Sequence, residues 1–363
     1  MSIRGTALSP LVRRRIERWL LVLTIGAVAA RITLIESEVR PRPSDFGQVW
    51  AAARFLLEGI NPYDAIGPQG LFRFSFPFLY PLTAAVATLP LAPLPANIAD
   101  AVFMALGSAL LAWALTRETT RNPQMLVFAS VAFLANLGNA QWSPLITAAG
   151  LLPGLGFLLA CKPTLGLAFL AAYPSWRSIA AAGLFTLITV AIWPWWPAAW
   201  LQVLTLQTHP PPVMQWGGPL MLLGLLKWRR PEARLLVGLA CVPHTVTLYE
   251  VIPLFLVVQT WTEGVVLALL TPVVWYLQEF TGGPYPTVEA WYLAGAHWQL
   301  LFIYFPCLLM VLRRPNVGAS IDAAALRSWL PRPLRAWSSP DGALLSRVRR
   351  VKTGVVGRDE DRA

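Results

Sequence analysis

Apolar residues occur along this chain in long blocks that are separated by short polar turns and prolines. Such blocks predict membrane helices, since about 20 apolar residues span the hydrocarbon core of a bilayer. Pro153, Pro163 and Pro253 interrupt or adjoin blocks, which favours broken or re-entrant helices inside the protein. We therefore predict an all-α, polytopic membrane protein with about 10 to 12 transmembrane helices. The predicted helical blocks are 19–35, 75–92, 97–116, 124–138, 143–160, 163–174, 178–196, 217–228, 233–244, 247–261, 263–279 and 291–312.

The composition supports a membrane protein and excludes most soluble classes. Hydrophobic residues make up 56% of the 363 positions and charged residues only 13%. An ordinary soluble domain carries about 25% charged residues. The 17 tryptophans are typical of a membrane interface, because the indole ring is apolar while its N–H needs a hydrogen-bond partner.

The net charge of +11 lies almost entirely at the two ends of the chain. Residues 1–18 carry five arginines against one glutamate, and residues 313–363 carry eleven basic side chains against five acidic ones. Basic ends that flank a hydrophobic block indicate retention in the cytoplasm and attraction to anionic membrane lipids, rather than binding to nucleic acid. We predict a transmembrane domain over 19–312, with both termini cytoplasmic and a largely disordered basic tail over 313–363.

The preference of basic residues for the cytoplasmic side also predicts on which side of the membrane each loop lies. If the first block is an uncleaved signal anchor, residues 36–74 form the first outer loop and residues 281–290 form another. The stretch 193–216 is free of acidic, lysine and arginine side chains and rich in aromatic ones, which favours an outer interfacial loop. The basic residues of 227–234 mark an inner loop, while the topology of 117–174 stays open.

The first outer loop holds a carboxylate whose role the sequence leaves open. Ser44 or Asp45 is a good helix N-cap, apolar residues recur at helical spacing through Leu57, and Gly59 ends the helix. This pattern predicts a short amphipathic helix whose apolar face lies on the membrane surface. Asp45 is then either the N-cap alone or a general base at the mouth of an outward-facing cavity.

Three further side chains have two interpretations each. The stretch 119–231 contains no acidic residue, so Lys162 either reaches the headgroup layer or pairs with a group outside its own segment, such as a phosphate. Arg73 and Tyr80 are either interfacial anchors or ligands of an anionic, sugar-bearing molecule.

The segment CVPHTVTLYE places His244 at a membrane-surface junction and Glu250 in the first turns of the next helix. An ionisable residue at such a junction is a functional candidate, although a lone histidine is more often structural. Gln141 follows a polar run and is either a hydrogen-bonding break or a simple turn. The three histidines show no HxxxH or HExxH spacing, so no metal site is predicted.

The order of these pieces resembles a known family of membrane enzymes. SDFGQVWAAARFLLEGINPYD is followed by FLYPLTAAVATLPLAPLP, NAQWSPL, CKPTLGL and VPHTVTLYEVIPLFLV. Over roughly residues 18–312 the chain resembles the GT-C-type glycosyltransferases that use polyprenyl-phosphate sugars, in particular the bacterial α-mannosyltransferase-like family that includes the phosphatidylinositol-mannoside mannosyltransferases. The chain departs from that family at Leu82, where many members have a second proline, and at Ala140, where the family has glycine before glutamine. The stretch from Gln141 to Lys162 is also short, which leaves the acceptor region open.

The resemblance implies an inverting hexosyltransferase of the cytoplasmic membrane, with no cofactor. A hexose, mannose by the resemblance, would move on the outer face from a polyprenyl-phosphate donor to a lipid or glycan acceptor. Asp45 would be the general base and His244 would lie near it. The implied substrate-binding residues are Arg54, Tyr63, Arg73, Tyr80, Gln141, Lys162 and Glu250, with Arg54, Arg73 and Lys162 as candidates to hold the leaving phosphate. Sugar-stacking candidates are Trp50, Tyr63, Trp142 and Trp216.

A different class of function stays open beside this one. Broken helices and lone membrane charges also mark transport pathways, so the alternative is a polytopic transporter or lipid-carrier flippase without transferase activity. The sugar, the acceptor and the oligomeric state are not predicted.

Overall fold

The computed structural model describes residues 9–40, 42–205, 210–281, 283–285 and 287–317. The α-helices are α1 (Pro10–Val39), α2 (Asp45–Leu57), α3 (Pro62–Ala65), α4 (Leu82–Thr88), α5 (Ala96–Leu115), α6 (Val131–Asn139), α7 (Ser143–Leu151), α8 (Pro163–Ala172), α9 (Trp176–Ile192), α10 (Trp196–Thr205), α11 (Pro231–Cys241), α12 (Trp261–Phe280), α13 (Val288–Gln299) and α14 (Phe305–Leu312). Short 3₁₀ helices lie at Leu89–Leu91, Pro123–Ala129, Pro153–Cys161, Pro212–Met214, Gly218–Lys227, Leu248–Glu250 and Ile252–Val257. A π-helical turn, Leu300–Tyr304, joins α13 to α14. The short strands β1 (Ile66–Gly67) and β2 (Phe72–Arg73) pair in parallel, with Ile66 opposite Phe72.

The all-α prediction is confirmed, but the predicted number of membrane helices is too high for the described residues. Three of their helices are long and apolar enough to cross a membrane: Leu11–Val39, Ala96–Leu115 and Ala290–Leu312. A fourth candidate is the pair α9 and α10, which bends by 105° at the break between them. Several other apolar blocks form short α- or 3₁₀ helices that begin at or beside a proline. Proline lacks a backbone N–H and clashes with the preceding turn, so each such block ends before it reaches spanning length.

Helices α1 and α5 pack closely along their length, with Gly26 of α1 against Ala105 and Ala109 of α5. A Cβ on Gly26 would lie 3.3 Å from both neighbours, and small residues of this kind allow two apolar helices to approach. Near the start of α1, Arg18 donates a hydrogen bond of 2.7 Å to the carbonyl of Trp113. Its guanidinium lies 3.4 Å from the centre of that indole ring. This contact places the C-terminal end of α5 at the same end of the molecule as the basic start of α1.

A buried network of ion pairs joins the predicted inner loop to the end of α14. Arg314 lies 3.4 Å from Glu232 and 2.7 Å from Glu263. Arg230 lies 2.7 Å from the same Glu232, and Arg313 lies 3.2 Å from Glu263. Residues predicted to share the inner side therefore lie together.

The network also corrects the predicted start of the C-terminal tail at residue 313. The compact unit of the chain extends to Asn316. Arg314 belongs to it because its guanidinium is only 10% exposed and is paired with two carboxylates. The remaining predicted tail, from residue 318 onward, lies outside the described residues.

Helix α2, predicted to lie on the membrane surface, packs on the protein over most of its length. Most of its apolar residues up to Ala53 are buried, against α4 and α5, whereas Leu57 at its end is exposed. Phe46 is fully buried and stacks on Phe103 of α5, with ring centres 4.0 Å apart. The predicted N-cap and helical spacing are confirmed, and neighbouring helices cover the first half of the apolar face. This packing fixes the orientation of the start of α2, where Asp45 lies.

Candidate functional site

Asp45 is the first residue of α2, and its position is fixed by the residue before it. The Ser44 hydroxyl accepts the backbone N–H of Gly47 at 2.8 Å and donates to Asp100 of α5 at 2.9 Å. Ser44 is therefore the N-cap, and Asp45 is left with a partly exposed carboxylate in the favourable first turn of the helix. The predicted alternative of Asp45 as the N-cap itself is thus excluded by Ser44.

The side-chain amide of Gln141 donates a hydrogen bond to the Asp45 carboxylate. Gln141 is 2% exposed and lies in the turn between α6 and α7. The preceding residue, Ala140, has φ = 46°, in the left-handed region, and its N–H bonds back to Leu137 at 3.4 Å. This backbone conformation turns the chain so that Gln141 points to α2. The sequence places Gln141 in a hydrogen-bonding break, and the structure identifies its partner.

A second carboxylate, that of Glu250, is hydrogen-bonded to the same turn. Ser143, two residues after Gln141, donates a hydrogen bond of 3.2 Å to Glu250. Glu250 forms an ion pair with Lys162, whose side chain is 13% exposed beside the 4% of Glu250. Lys162 therefore has its partner 88 residues away in sequence, outside its own segment. Of the two predicted interpretations, pairing describes Lys162, and the partner in this structure is a carboxylate.

These groups change the acidity of Asp45. Burial raises the pKa of Asp45 to about 6, and the charge of Glu250 raises it as well, whereas the charges of Lys162 and Arg42 lower it. A carboxylic acid that titrates near neutral pH can take up a proton during a reaction and release it afterwards. The carboxylate of Asp45 thus has the acidity expected of a general base.

Phenol and indole groups surround the carboxylates. The charges of both Asp45 and Glu250 act on Tyr80, Tyr249 and Tyr292. The hydroxyls of Tyr249 and Tyr292 lie 3.3 Å apart, and the Tyr80 ring lies 6.2 Å from that of Trp142. Neutral hydroxyls and aromatic faces are groups that bind sugars well.

His244 is buried and has two hydrogen-bond partners in the structure. It is 5% exposed, and its ring nitrogens contact the carbonyl of Val242 at 3.0 Å and the hydroxyl of Tyr304 at 3.2 Å. Because a carbonyl only accepts, Nδ1 is the donor to Val242, and in the neutral ring the Tyr304 hydroxyl donates to Nε2. These two bonds hold the ring between its own segment and the turn that contains Tyr304. The π-helical turn that holds Tyr304 brings its hydroxyl to the histidine.

The other predicted residues differ in exposure and contacts. Arg54 is exposed, with its guanidinium 5.1 Å from the ring of Trp50. Arg73 is exposed on β2. Tyr63 is buried and donates to the carbonyl of Tyr80 at 3.1 Å, so it supports Tyr80 from behind. Of the stacking candidates, Trp142 is fully buried and Trp216 is 81% exposed.

The predicted outer block around residue 200 packs on the first outer loop. Trp200 donates its indole N–H to the carbonyl of Leu79 at 2.9 Å. The ring of Trp195 meets that of Tyr63 edge to face at 6.3 Å. The two predicted outer segments therefore lie together, and they pack beside the chain that leads to Tyr80.

Searches against protein-family models, curated proteins and solved structures found no match to this chain. The site is therefore assessed from its own chemistry. Within the described ranges, no group of three or more histidine, cysteine, aspartate or glutamate side chains is placed to hold a metal ion.

The sequence overlooked five residues of this group: Arg42, Asp100, Ser143, Tyr249 and Tyr292. Two of them had a local signal, because Ser143 is two residues from Gln141 and Tyr249 precedes Glu250. Asp100 and Tyr292 lie in long apolar helices, and only the packing of those helices brings them to Asp45.

Proposed function

We propose that this protein is a membrane glycosyltransferase in which Asp45 is the general base. The observation that carries the proposal is the Asp45 carboxylate, which is partly exposed, bonded to Gln141 and raised in pKa to about 6. It belongs to a loop helix outside the candidate spans. A base in this position deprotonates a hydroxyl group that approaches from the membrane surface.

The reaction we propose is an inverting displacement at the anomeric carbon of a hexose. The acceptor hydroxyl forms the new C–O bond, Asp45 takes its proton, and the bond to the polyprenyl-phosphate oxygen breaks. Mannose, the polyprenyl-phosphate donor, the lipid or glycan acceptor and the outer face of the cytoplasmic membrane follow from the family resemblance. Tyr80, Tyr249 and Tyr292 provide hydroxyls and rings for the sugar beside Asp45.

The geometry changes the proposed roles of the basic residues. Lys162 is the buried cation of the site, and its charge acts on Asp45. Arg54 and Arg73 are exposed. We therefore retain Lys162 beside the reacting groups and assign Arg54 and Arg73 no part in the chemical step. His244 supports the fold of its segment through Tyr304.

The test is sugar transfer by the purified full chain in lipid vesicles, with radiolabelled polyprenyl-phosphate mannose as the donor and extracted bacterial envelope lipids as acceptors. Asp45→Asn removes the base, so transfer should fall by about 10²- to 10⁴-fold. Asp64→Asn is the matched control, because Asp64 is an exposed carboxylate of the same loop that accepts from Asn61 at 2.6 Å. Its rate should stay within about twofold of the unmodified chain.

Two results contradict the proposal. Transfer that survives in Asp45→Asn would show that another group is the base. If the unmodified chain transfers no sugar but moves the labelled lipid across the vesicle bilayer, the protein is a transporter or flippase, as in the alternative interpretation.

A further inference from the structure

The Lys162–Glu250 pair and Asp45 are held by a single turn of the chain. Gln141 bonds to Asp45, and Ser143 of the same turn bonds to Glu250, which pairs with Lys162. The two hydrogen bonds fix the carboxylates relative to each other through only three residues of backbone. A rotation of this turn would therefore move both carboxylates together.

The stability of the fold alone does not explain why a buried ion pair is present at this position. Removing two charges from water costs about as much as their attraction returns, so apolar residues often stabilise a fold equally well. In this chain the pair lies where its charges reach the one loop carboxylate that titrates near neutral pH. The pair therefore has an electrostatic effect on the site that an apolar replacement would not provide.

The ionisable groups around Asp45 come from several elements. Arg42 precedes α2, Asp100 is on α5, Lys162 precedes α8, and Glu250 ends a 3₁₀ turn. Three tyrosines complete the set: Tyr80, Tyr249 and Tyr292. Asp100 is a second buried carboxylate near Asp45 and accepts a hydrogen bond from Ser44. The tyrosines are neutral phenols at physiological pH. Arg42 is exposed, so solvent screens its charge. Besides Asp100, the buried charges next to Asp45 are those of the Lys162–Glu250 pair.

We propose that Lys162 and Glu250 are positioning residues, whose ion pair holds an ammonium group beside Asp45 and sets the pH at which Asp45 takes a proton. The importance of this for catalysis rests on the proposed role of Asp45 as base. Lys162 keeps Asp45 ionised at physiological pH, and Glu250 limits the effect by neutralising part of the ammonium charge. The pair thus acts through Asp45, without any requirement that it touch the substrate.

The proposal predicts that removing the charge of Lys162 and removing that of Glu250 shift the titration midpoint of Asp45 in opposite directions. Lys162→Gln removes the positive charge, so the titration midpoint of Asp45 should rise by about one pH unit. Glu250→Gln removes the negative charge and leaves the ammonium group, so the midpoint should fall by about one pH unit. The double variant Lys162→Gln/Glu250→Gln should titrate close to the unmodified chain. Lys162→Arg keeps the charge and should also leave the midpoint in place.

The measurement is infrared difference spectroscopy of the full chain in lipid nanodiscs over a pH series. The carbonyl band of protonated Asp45 is identified as the band that Asp45→Asn removes. The midpoint should lie near 6 in the unmodified chain. Glutamine keeps a hydrogen bond across the pair, which favours folding of the single variants. If one of them does not fold, the other decides alone, because each has its own predicted sign.

A purely structural pair gives a different result. The variants would then lose thermal stability, while the folded fraction would titrate at the unmodified midpoint. Unchanged midpoints in folded Lys162→Gln and Glu250→Gln, or shifts in the same direction, would overturn the proposal. Sugar-transfer assays distinguish a failure of the role proposed for the ion pair from a failure of the proposed function. If transfer survives in Asp45→Asn, the base assignment fails. If transfer is lost there but the midpoints do not move, only the role of the pair fails.

Discussion

The amide of Gln141 donates a hydrogen bond to the carboxylate of Asp45, across 96 residues of sequence. The amide is buried and the carboxylate is partly exposed. The bond therefore orients the carboxylate from the protein side, and in the proposed reaction the carboxylate takes the proton of the acceptor hydroxyl. A base that is oriented before the substrate arrives needs no further ordering during the reaction.

Gln141→Leu should lower sugar transfer by about 10- to 100-fold, because the loss of one hydrogen bond to a charged group costs about 1.5–3 kcal/mol. The fall should appear in kcat, since the bond orients the base and does not hold the substrate. Gln278→Leu is the matched control: this glutamine is equally buried, at 2%, and its amide donates to Trp291 in another part of the fold. Equal losses of transfer in both variants would mean that Gln141 acts only through stability.

Asp45→Asn should stabilise the protein relative to the unmodified chain, and this gain should be larger above pH 6 than at lower pH. The folded-state pKa of Asp45 is raised to about 6 from an ordinary value of 3.8. Between these values the folded state holds a proton that the unfolded state has lost, so stability falls as the pH rises. The loss of folding stability caused by ionised Asp45 is complete above pH 6 and absent below pH 4. It is at most about 3 kcal/mol.

Thermal melting of both chains in nanodiscs at pH 4 and pH 8 checks this sign. The melting temperature of Asp45→Asn minus that of the unmodified chain should be more positive at pH 8. A difference that does not change with pH would mean that Asp45 titrates at its ordinary value. The same pKa predicts that transfer by the unmodified chain falls as the pH drops through about 6.

Polar residues that contact one another were easier to single out from the sequence than membrane helices were. Polar residues are scarce between 19 and 312, so Asp45, Gln141, Lys162 and Glu250 stood out, and the structure brings these four together. The prolines predicted broken helices, and several apolar blocks do form short helices that begin at or beside a proline. Hydropathy alone predicted more membrane helices than the three or four candidates among the described residues.

The side chains that bond to Lys162 and His244 could not be assigned from the sequence, because these contacts depend on packing between distant segments. Lys162 has no acidic residue near it in sequence, and its carboxylate comes from the 3₁₀ turn at Leu248–Glu250. The resemblance predicts only that His244 lies near Asp45. The structure adds Tyr304 as a partner of its ring, and the position of Tyr304 depends on a π-helical turn that the sequence pattern does not reveal.

Tyr304→Phe should destabilise the protein by about 1–3 kcal/mol, because buried His244 loses the hydroxyl bonded to Nε2. The pH at which transfer falls should stay the same, since this bond does not involve Asp45. Tyr276→Phe is the control, as Tyr276 is 57% exposed and should change little. Thermal melting and the pH profile of transfer test the two parts separately. A shifted profile in Tyr304→Phe would link His244 to the base after all.

Ala140→Gly should stabilise the protein by up to about 1 kcal/mol. Ala140 has φ = 46°, a conformation that a Cβ disfavours and glycine adopts freely. Ala135→Gly, inside α6, is the matched control and should destabilise by about 1 kcal/mol. Opposite changes in melting temperature are expected, and a loss of stability in both variants would exclude relief of strain at Ala140.

Arg314→Met should destabilise the protein by about 3–5 kcal/mol, because it leaves buried carboxylates without their shared partner. The guanidinium of Arg314 is 10% exposed and contacts Glu232 and Glu263, which join the predicted inner loop to α12. Arg313→Met is the matched control: its side chain is 69% exposed, although it also lies 3.2 Å from Glu263. An exposed ion pair contributes about 0–1 kcal/mol, so Arg313→Met should melt close to the unmodified chain. Similar losses in both variants would mean that the arginines act only as topogenic charges. A large loss in Arg314→Met alone would show that this arginine, read from the sequence as a topogenic charge, joins three segments of the fold.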